Sequence, residues 1–373
     1  MTYQATRGVA ARARLLRPVA IAAAVTIGAA GLAACGPAGE DDTFVLHYTT
    51  YSSPTSDQSK AVQRWAEEVE QRTDGGVTVR FHYSESLVDA DEAVRASQDG
   101  RADLAQVGSI YAASDLSMFT VIELPFETNN PEVQMTAIMR LYEENQTYRE
   151  DFERQGVRFL FPIPLGNAVL GTNRPVESVD DLRGRSIRSG GLMSEVMLAV
   201  GANPVAMTAN DIYESLERGV VDGYTALAVA NLSTFGLAKT TRYLTDPGVG
   251  AYSSSIVVVN EEVYQSMPDR YQQALQAASD NSIANGLEEM DAAAGTACAE
   301  LKAAGTEFGA FPEDQVADWK ERADIAESWV ARYEQKGYDA RSVLEDYRRI
   351  IDEETPRSDY RAPLAACMKG EVR

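Results

Sequence analysis

The chain predicts an α/β protein of two lobes with long C-terminal helices. Three observations carry that expectation. Apolar runs of strand length alternate with amphipathic helical runs through residues 44–224, as parallel βα units with helices on both faces require. A strongly β-forming run, Ser254-Ser255-Ile256-Val257-Val258-Val259, follows after that alternation ends and is expected to return to the first sheet. Residues 261–360 are charged and helical with few strands. At 373 residues and 45% hydrophobic content, the chain can bury two cores.

The elements follow in order. Residues 44–49 are the opening strand. Ser56 or Asp57 caps a helix whose apolar stripe is Ala61, Val62, Trp65, Ala66 and Val69. Asp74-Gly75-Gly76 turns into a strand over 77–83. A helix over 91–98 stops at Gly100, and 102–107 is a buried strand. Helices over 131–144 and 147–155 lead to a strand over 157–161. A second βα set runs through 168–172, 186–188, 192–200, 211–218 and 220–224, with Asn210 as N-cap and Gly219 as C-cap of its last helix. The expected division is a leader over 1–34, a tether over 35–43, a first lobe of 44–165 plus about 254–295, and a second of 166–253 plus about 296–373.

Four arginines (Arg7, Arg12, Arg14, Arg17) precede an apolar run over 19–33 that is short and small in side chain. That reads as a targeting segment rather than a membrane span. Leu32-Ala33-Ala34-Cys35 resembles the bacterial lipobox, which implies a lipidated Cys35 holding the protein outside the cytoplasm at a membrane. The alternative is an ordinary signal peptide with an incidental cysteine. With Cys35 set aside, Cys298 and Cys367 remain. An even pair in an oxidising compartment predicts one disulfide, pinning the C-terminal tail to a long helix; the alternative is two buried thiols. The net charge of −22, or −26 once the leader arginines are removed, argues against nucleic acid. Any anion must be gripped by a local cation.

Residues 180–224 are the most informative stretch. A compact strand ends on Arg188, and Gly190-Gly191 then opens a helix. A strand end beside a helix N-terminus is where open α/β sheets bind ligands. A guanidinium fork with free backbone N–H groups beside it suits a carboxylate. The opposing reading is that Arg188 ties its strand to a neighbouring carboxylate. Strand ends of the first lobe offer Tyr48, Thr49, Glu85 and Ser109 as contacts, and Tyr224 could stack on the ligand. The two histidines, His47 and His82, fall inside predicted strands, where a packing role is expected. No G-x-S-x-G, H-E-x-x-H, C-x-x-C or Walker pattern is present. The expectation is a binding protein without cofactor or metal, not an enzyme.

Two such lobes resemble a periplasmic binding protein, and the motif Asp181-Leu182-Arg183-Gly184-Arg185-Ser186-Ile187-Arg188 is similar to that of the DctP family, the solute-binding subunits of TRAP transporters. The stretch from Gly201 to Gly223, Gly100-Arg101-Ala102-Asp103-Leu104 and Leu124-Pro125-Phe126 extend the likeness over residues 44–264. The resemblance implies a type II two-lobe fold with one long helix bridging both lobes. It implies a monomer that captures an organic acid and hands it to a membrane permease driven by an ion gradient. Arg188 matches the arginine that pairs with the substrate carboxylate. Three positions depart. Ala168 stands where many members carry a second arginine, with Asn167 beside it as a further candidate contact. Ala209 replaces an aromatic residue, and Ala226 replaces an asparagine. These departures imply a roomier, less polar cavity for one carboxylate on an apolar or aromatic body. A receptor serving a sensor kinase or another transporter, and a lipid-anchored enzyme, are the competing functions.

Overall fold

Two mixed sheets organise residues 43–369, the part of the chain that the computed structural model describes. The leader, Cys35 and the tether up to residue 42 lie outside the described residues. In chain order the strands are β1 (Phe44–Thr49), β2 (Val77–His82), β3 (Leu104–Gly108), β4 (Val157–Ile163), β5 (Leu170–Thr172), β6 (Ser186–Ser189), β7 (Asn203–Ala206), β8 (Gly223–Tyr224), β9 (Tyr243–Asp246), β10 (Ser255–Asn260) and β11 (Glu307–Ala310). The first sheet runs β2-β1-β3-β10-β4 and the second β11-β9-β5-β8-β6-β7. This is the type II two-lobe arrangement.

The first sheet is not wholly parallel, as the alternation had suggested. β10 lies antiparallel to both β3 and β4, because it comes from the second lobe rather than through a local βα crossover. Its six residues are all buried, which explains a run so uniformly β-branched. The predicted strand over 220–224 shrinks to Gly223–Tyr224, since Val220 is 54% exposed and its N–H donates to Ser215 O of the preceding helix rather than to a strand.

Helices start where the sequence places caps. The Ser56 hydroxyl accepts from Ser59 N–H at 3.0 Å, opening the helix Asp57–Arg72. That helix buries Val62, Trp65 and Val69 on the first sheet, with the Trp65 ring 5.1 Å from Phe161. Asn130 caps two N–H groups of Pro131–Glu144. Asn210 does not cap its helix as expected. The turn before it is held by Thr208, which donates to Asp211 at 3.0 Å, while Asn210 reaches into the cleft. His47 and His82 are packing residues on β1 and β2, stacked with ring nitrogens 2.9 Å apart.

The helix Ser282–Ala304 bridges the lobes. Its 23 residues span about 34 Å. At one end Arg64 pairs with Glu288 and Glu289, and Gly286 lies so close to Pro164 that a Cβ would sit 2.6 Å from that ring. At the other end Ala294, Ala297 and Leu301 join Leu244 in the core of the second lobe. Cys298 on this helix is bonded to Cys367 on the helix Pro363–Lys369, with Cα atoms 5.6 Å apart. Among the described residues no helix is long and apolar enough to cross a membrane.

Candidate functional site

β6 lies between β8 and β7, and Asp222 fixes its start by accepting from Ser186 N–H at 2.9 Å. The strand delivers Arg188 to the interior, where it is fully buried. Its Nε and Nη2 donate to Met207 O at 3.2 and 3.0 Å, and Nη1 donates to Thr225 O at 3.1 Å. Nη2 also donates to the Tyr111 hydroxyl of the first lobe at 3.4 Å. Among the described residues no carboxylate pairs with it, so Arg188 is not the strand tie that the opposing reading required. Carbonyl dipoles solvate this guanidinium but leave its charge unbalanced, and a buried unbalanced charge is costly.

The helix N-terminus beside Arg188 differs from expectation. Gly191 adopts φ 54° and ψ −142° at the N-cap of the helix Leu192–Ala199, and a Cβ there would lie 1.8 Å from Glu123 Oε2. Glu123, from the first lobe, accepts from Leu192 N–H at 2.9 Å and from the Tyr252 hydroxyl at 3.3 Å. Tyr252 Oη in turn accepts from Met193 N–H at 2.7 Å. The N–H groups expected to be free for a ligand are already taken by the protein's own carboxyl and phenol. Burial pushes the Glu123 carboxyl up to about 7, against the lowering effect of Leu192 N–H and of the Ser109 and Tyr252 hydroxyls.

Arg188 forms one wall of a cavity between the lobes that also touches Ala209 and Ala226, two of the predicted residues. Ala226 holds φ 58°, a region where asparagine is better tolerated than alanine. Tyr51, Tyr111 and Ile110 close the first-lobe side, Leu227, Asn231 and Phe235 the second. The Tyr51 and Tyr111 rings meet edge to face at 5.5 Å. Beneath Tyr51, whose hydroxyl contacts Gln58 and Ser255, Gln106 is bonded to Gln58, Ser52 and Thr50. Little open space is left between these side chains. The small residues therefore do not make the cavity roomy here, because aromatic side chains occupy what they leave.

Several expected contacts lie elsewhere. Ala168 is buried in the hydrophobic core and does not line the cavity. Asn167 bridges to Ala251 and borders a separate crevice with Met290 and Leu364. The Tyr224 ring covers Gly171 and its hydroxyl meets Thr241 at 2.7 Å, so it packs within the second lobe. Tyr48 is a core residue edge-on to Phe81, and Thr49 is buried at the end of β1. Ser109 stands behind the wall, its hydroxyl 2.8 Å from that of Ser253, which lines the cavity. Glu85 sits at the cleft mouth and accepts from Asn210 of the second lobe at 2.8 Å. The sequence reading missed Tyr51 and Tyr111. Their signal was an aromatic residue two or three positions beyond the C-terminal ends of β1 and β3, where ligands of α/β sheets lie.

Two sheets of type II order, a helix bridging them and a buried cation at their junction define the two-lobe binding-protein fold. The chain belongs to the DctP family, bacterial extracellular solute-binding protein family 7, whose model matches residues 48–335; these are solute-binding proteins of TRAP transporters. It is 26% identical over 286 residues to the C4-dicarboxylate-binding periplasmic protein DctP of Rhodobacter capsulatus, covering 75% of this chain and 84% of that one. A TRAP solute-binding protein from Rhodoferax ferrireducens, solved with copurified benzoate, superposes with a TM-score of 0.77 at 21% identity, covering 84% of this chain and 99% of that chain. One from Bordetella bronchiseptica, with bound (R)- and (S)-mandelate, gives 0.73 at 25% identity, covering 83% and 99%.

Proposed function

We propose that this protein is the lipid-anchored receptor of a TRAP transporter, capturing an apolar or aromatic monocarboxylate between its lobes and passing it to an ion-gradient-driven permease. The observation that supports this best is Arg188, a fully buried guanidinium without a carboxylate partner among the described residues. A ligand carboxylate would balance its charge through two parallel hydrogen bonds. Tyr51, Tyr111 and Phe235 offer ring faces and edges to the body of such an acid. The benzoate and mandelate held by the two structural neighbours have that build. A C4-dicarboxylate, which the Rhodobacter relative is named for binding, would bring a second charge into a lining that contains one guanidinium. Lobes over 44–165 plus 254–295 and 166–253 plus 296–373 would part to admit the acid and close over it.

A thermal-shift screen over benzoate, mandelate, aliphatic monocarboxylates, C4-dicarboxylates and sugar acids tests the ligand class. Saturation at 100 times Kd raises stability by about 2.7 kcal/mol. Tight binding of a dicarboxylate or sugar acid, with none of the aromatic acids active, refutes it. Lipidation is tested by Cys35→Ala, which should release the protein from the membrane fraction.

A further inference from the structure

We propose that Arg188 and the backbone N–H of Ala209 together form the oxygen-binding position of the cleft, and that the Tyr111 hydroxyl occupies it as an internal surrogate which an incoming carboxylate displaces. The inference rests on the reading of Arg188 as the carboxylate anchor and adds the second donor and the competitor. Tyr111 belongs to the first lobe, and its oxygen accepts from Arg188 Nη2 at 3.4 Å and from Ala209 N–H at 3.2 Å, both donors of the second lobe. One oxygen is thus aimed at by a cation and an amide from the opposite lobe, as a carboxylate oxygen would be. Both contacts are longer than the roughly 2.7–2.9 Å of charge-assisted bonds. The phenol is held loosely where an anion would be held tightly. Burial raises the Tyr111 pKa, outweighing the lowering effect of Arg188, so the surrogate is neutral and leaves the guanidinium uncompensated.

The ring is closely packed, so the exchange requires the two lobes to part. Tyr111 lies over Gly108, where a Cβ would sit 3.0 Å from the ring, and leans edge-on against Tyr51. Parting of the lobes would carry the Tyr111 hydroxyl away from both donors and vacate the position. The surrogate should also hold the lobes together, alongside the Asn210–Glu85 contact at the mouth. Apparent affinity is then reduced by the fraction of molecules in which the phenol holds the site.

The test uses the mature protein, with Tyr111→Phe keeping the ring and removing the oxygen. Calorimetric titration with benzoate, and with acetate as a bare head group, should show Kd tighter by at least about threefold in Tyr111→Phe. Small-angle scattering without added acid should show a larger radius of gyration for Tyr111→Phe than for wild type, a readout that holds whichever acid is the true ligand. Unchanged or weaker binding, or for non-binding probes an unchanged radius, overturns the surrogate role. Arg188→Met is the separating control. Undiminished binding there removes the anchor itself, whereas lost binding there with no gain in Tyr111→Phe refutes the surrogate alone.

Discussion

Arg188 and Arg140 are both arginines on regular elements, and their surroundings could hardly differ more. Arg140, on the helix Pro131–Glu144, donates to Glu144 at 2.7 Å, to Glu353 at 2.8 Å and to Glu354 at 2.7 Å, all close to solvent. Its neighbour Arg349 binds Glu144, Asp346 and Glu353. Arg188, with no solvent contact, meets carbonyls and a phenol. The chain has 56 acidic residues against 34 basic ones, so carboxylates were abundant enough to pair every arginine. At the seam where the helix Pro131–Glu144 packs on the helix Ala340–Glu354, that excess is spent on ordinary surface networks. At Arg188 it is withheld, which fits a position whose partner comes from outside.

Arg188→Ala breaks this comparison most sharply. A ligand carboxylate left without its guanidinium should lose roughly 2–5 kcal/mol of binding, about 30-fold to several-thousandfold in Kd. Arg188→Lys should also lose most of the affinity, because a point charge does not reproduce the fork. Calorimetry with the best acid from the screen checks both variants. Wild-type affinity in Arg188→Ala would return Arg188 to a structural role.

The next effect concerns the other charge held at the lobe junction. Glu123 is raised to about 7 in the folded protein, chiefly by burial, from an ordinary value near 4.5. The folded state therefore holds this proton more tightly than the unfolded chain. The resulting stabilisation is complete below about pH 4.5 and is lost as pH rises through 7, on the order of 3 kcal/mol in all. Glu123→Gln keeps a neutral group and should flatten that loss. Urea midpoints at pH 5 and pH 8 for both proteins provide the measurement. Asp57, raised by burial to about 6, titrates in both, so the difference between the curves isolates Glu123. Parallel curves would show that the carboxyl titrates normally.

What the sequence revealed, and what it hid, divides along the same line. β1 and the helix Pro131–Glu144 were read with their observed ends because alternation, a cap and a proline mark them locally. The Cys298–Cys367 bond followed from counting. Arg188 was legible too, since a motif ends on it, and the structure buries it between the lobes. Its surroundings were not. Tyr111 reaches Arg188 across 77 positions of sequence and sits in a single 3-10 turn with no periodicity to announce it. Asn210 looked like a cap because caps and cleft contacts use the same residue type. Tyr224 looked like lining because position at a strand end does not say which side of the sheet a side chain serves, and Ala168 because the family resemblance puts an arginine at that place. The free helix N-terminus failed for a similar reason: Glu123, which fills it, belongs to a segment 69 residues earlier.

The smallest expected effect lies at the seam. Arg140→Ala removes three ion pairs, yet each is screened by nearby solvent, and Glu144 and Glu353 keep Arg349 as a partner. The cost to stability should be about 0.5–1 kcal/mol and should shrink as salt is raised from 0.1 to roughly 1 M, where the Debye length falls to about 3 Å. Ligand affinity should not change, because the seam touches no residue of the cavity lining. A large, salt-insensitive loss of stability would mean that the seam is a load shared with the lobes rather than a surface network. A change in Kd would mean that charge at the helices and charge at the cleft are coupled, and the contrast between the two arginines would then have to be redrawn as one electrostatic system.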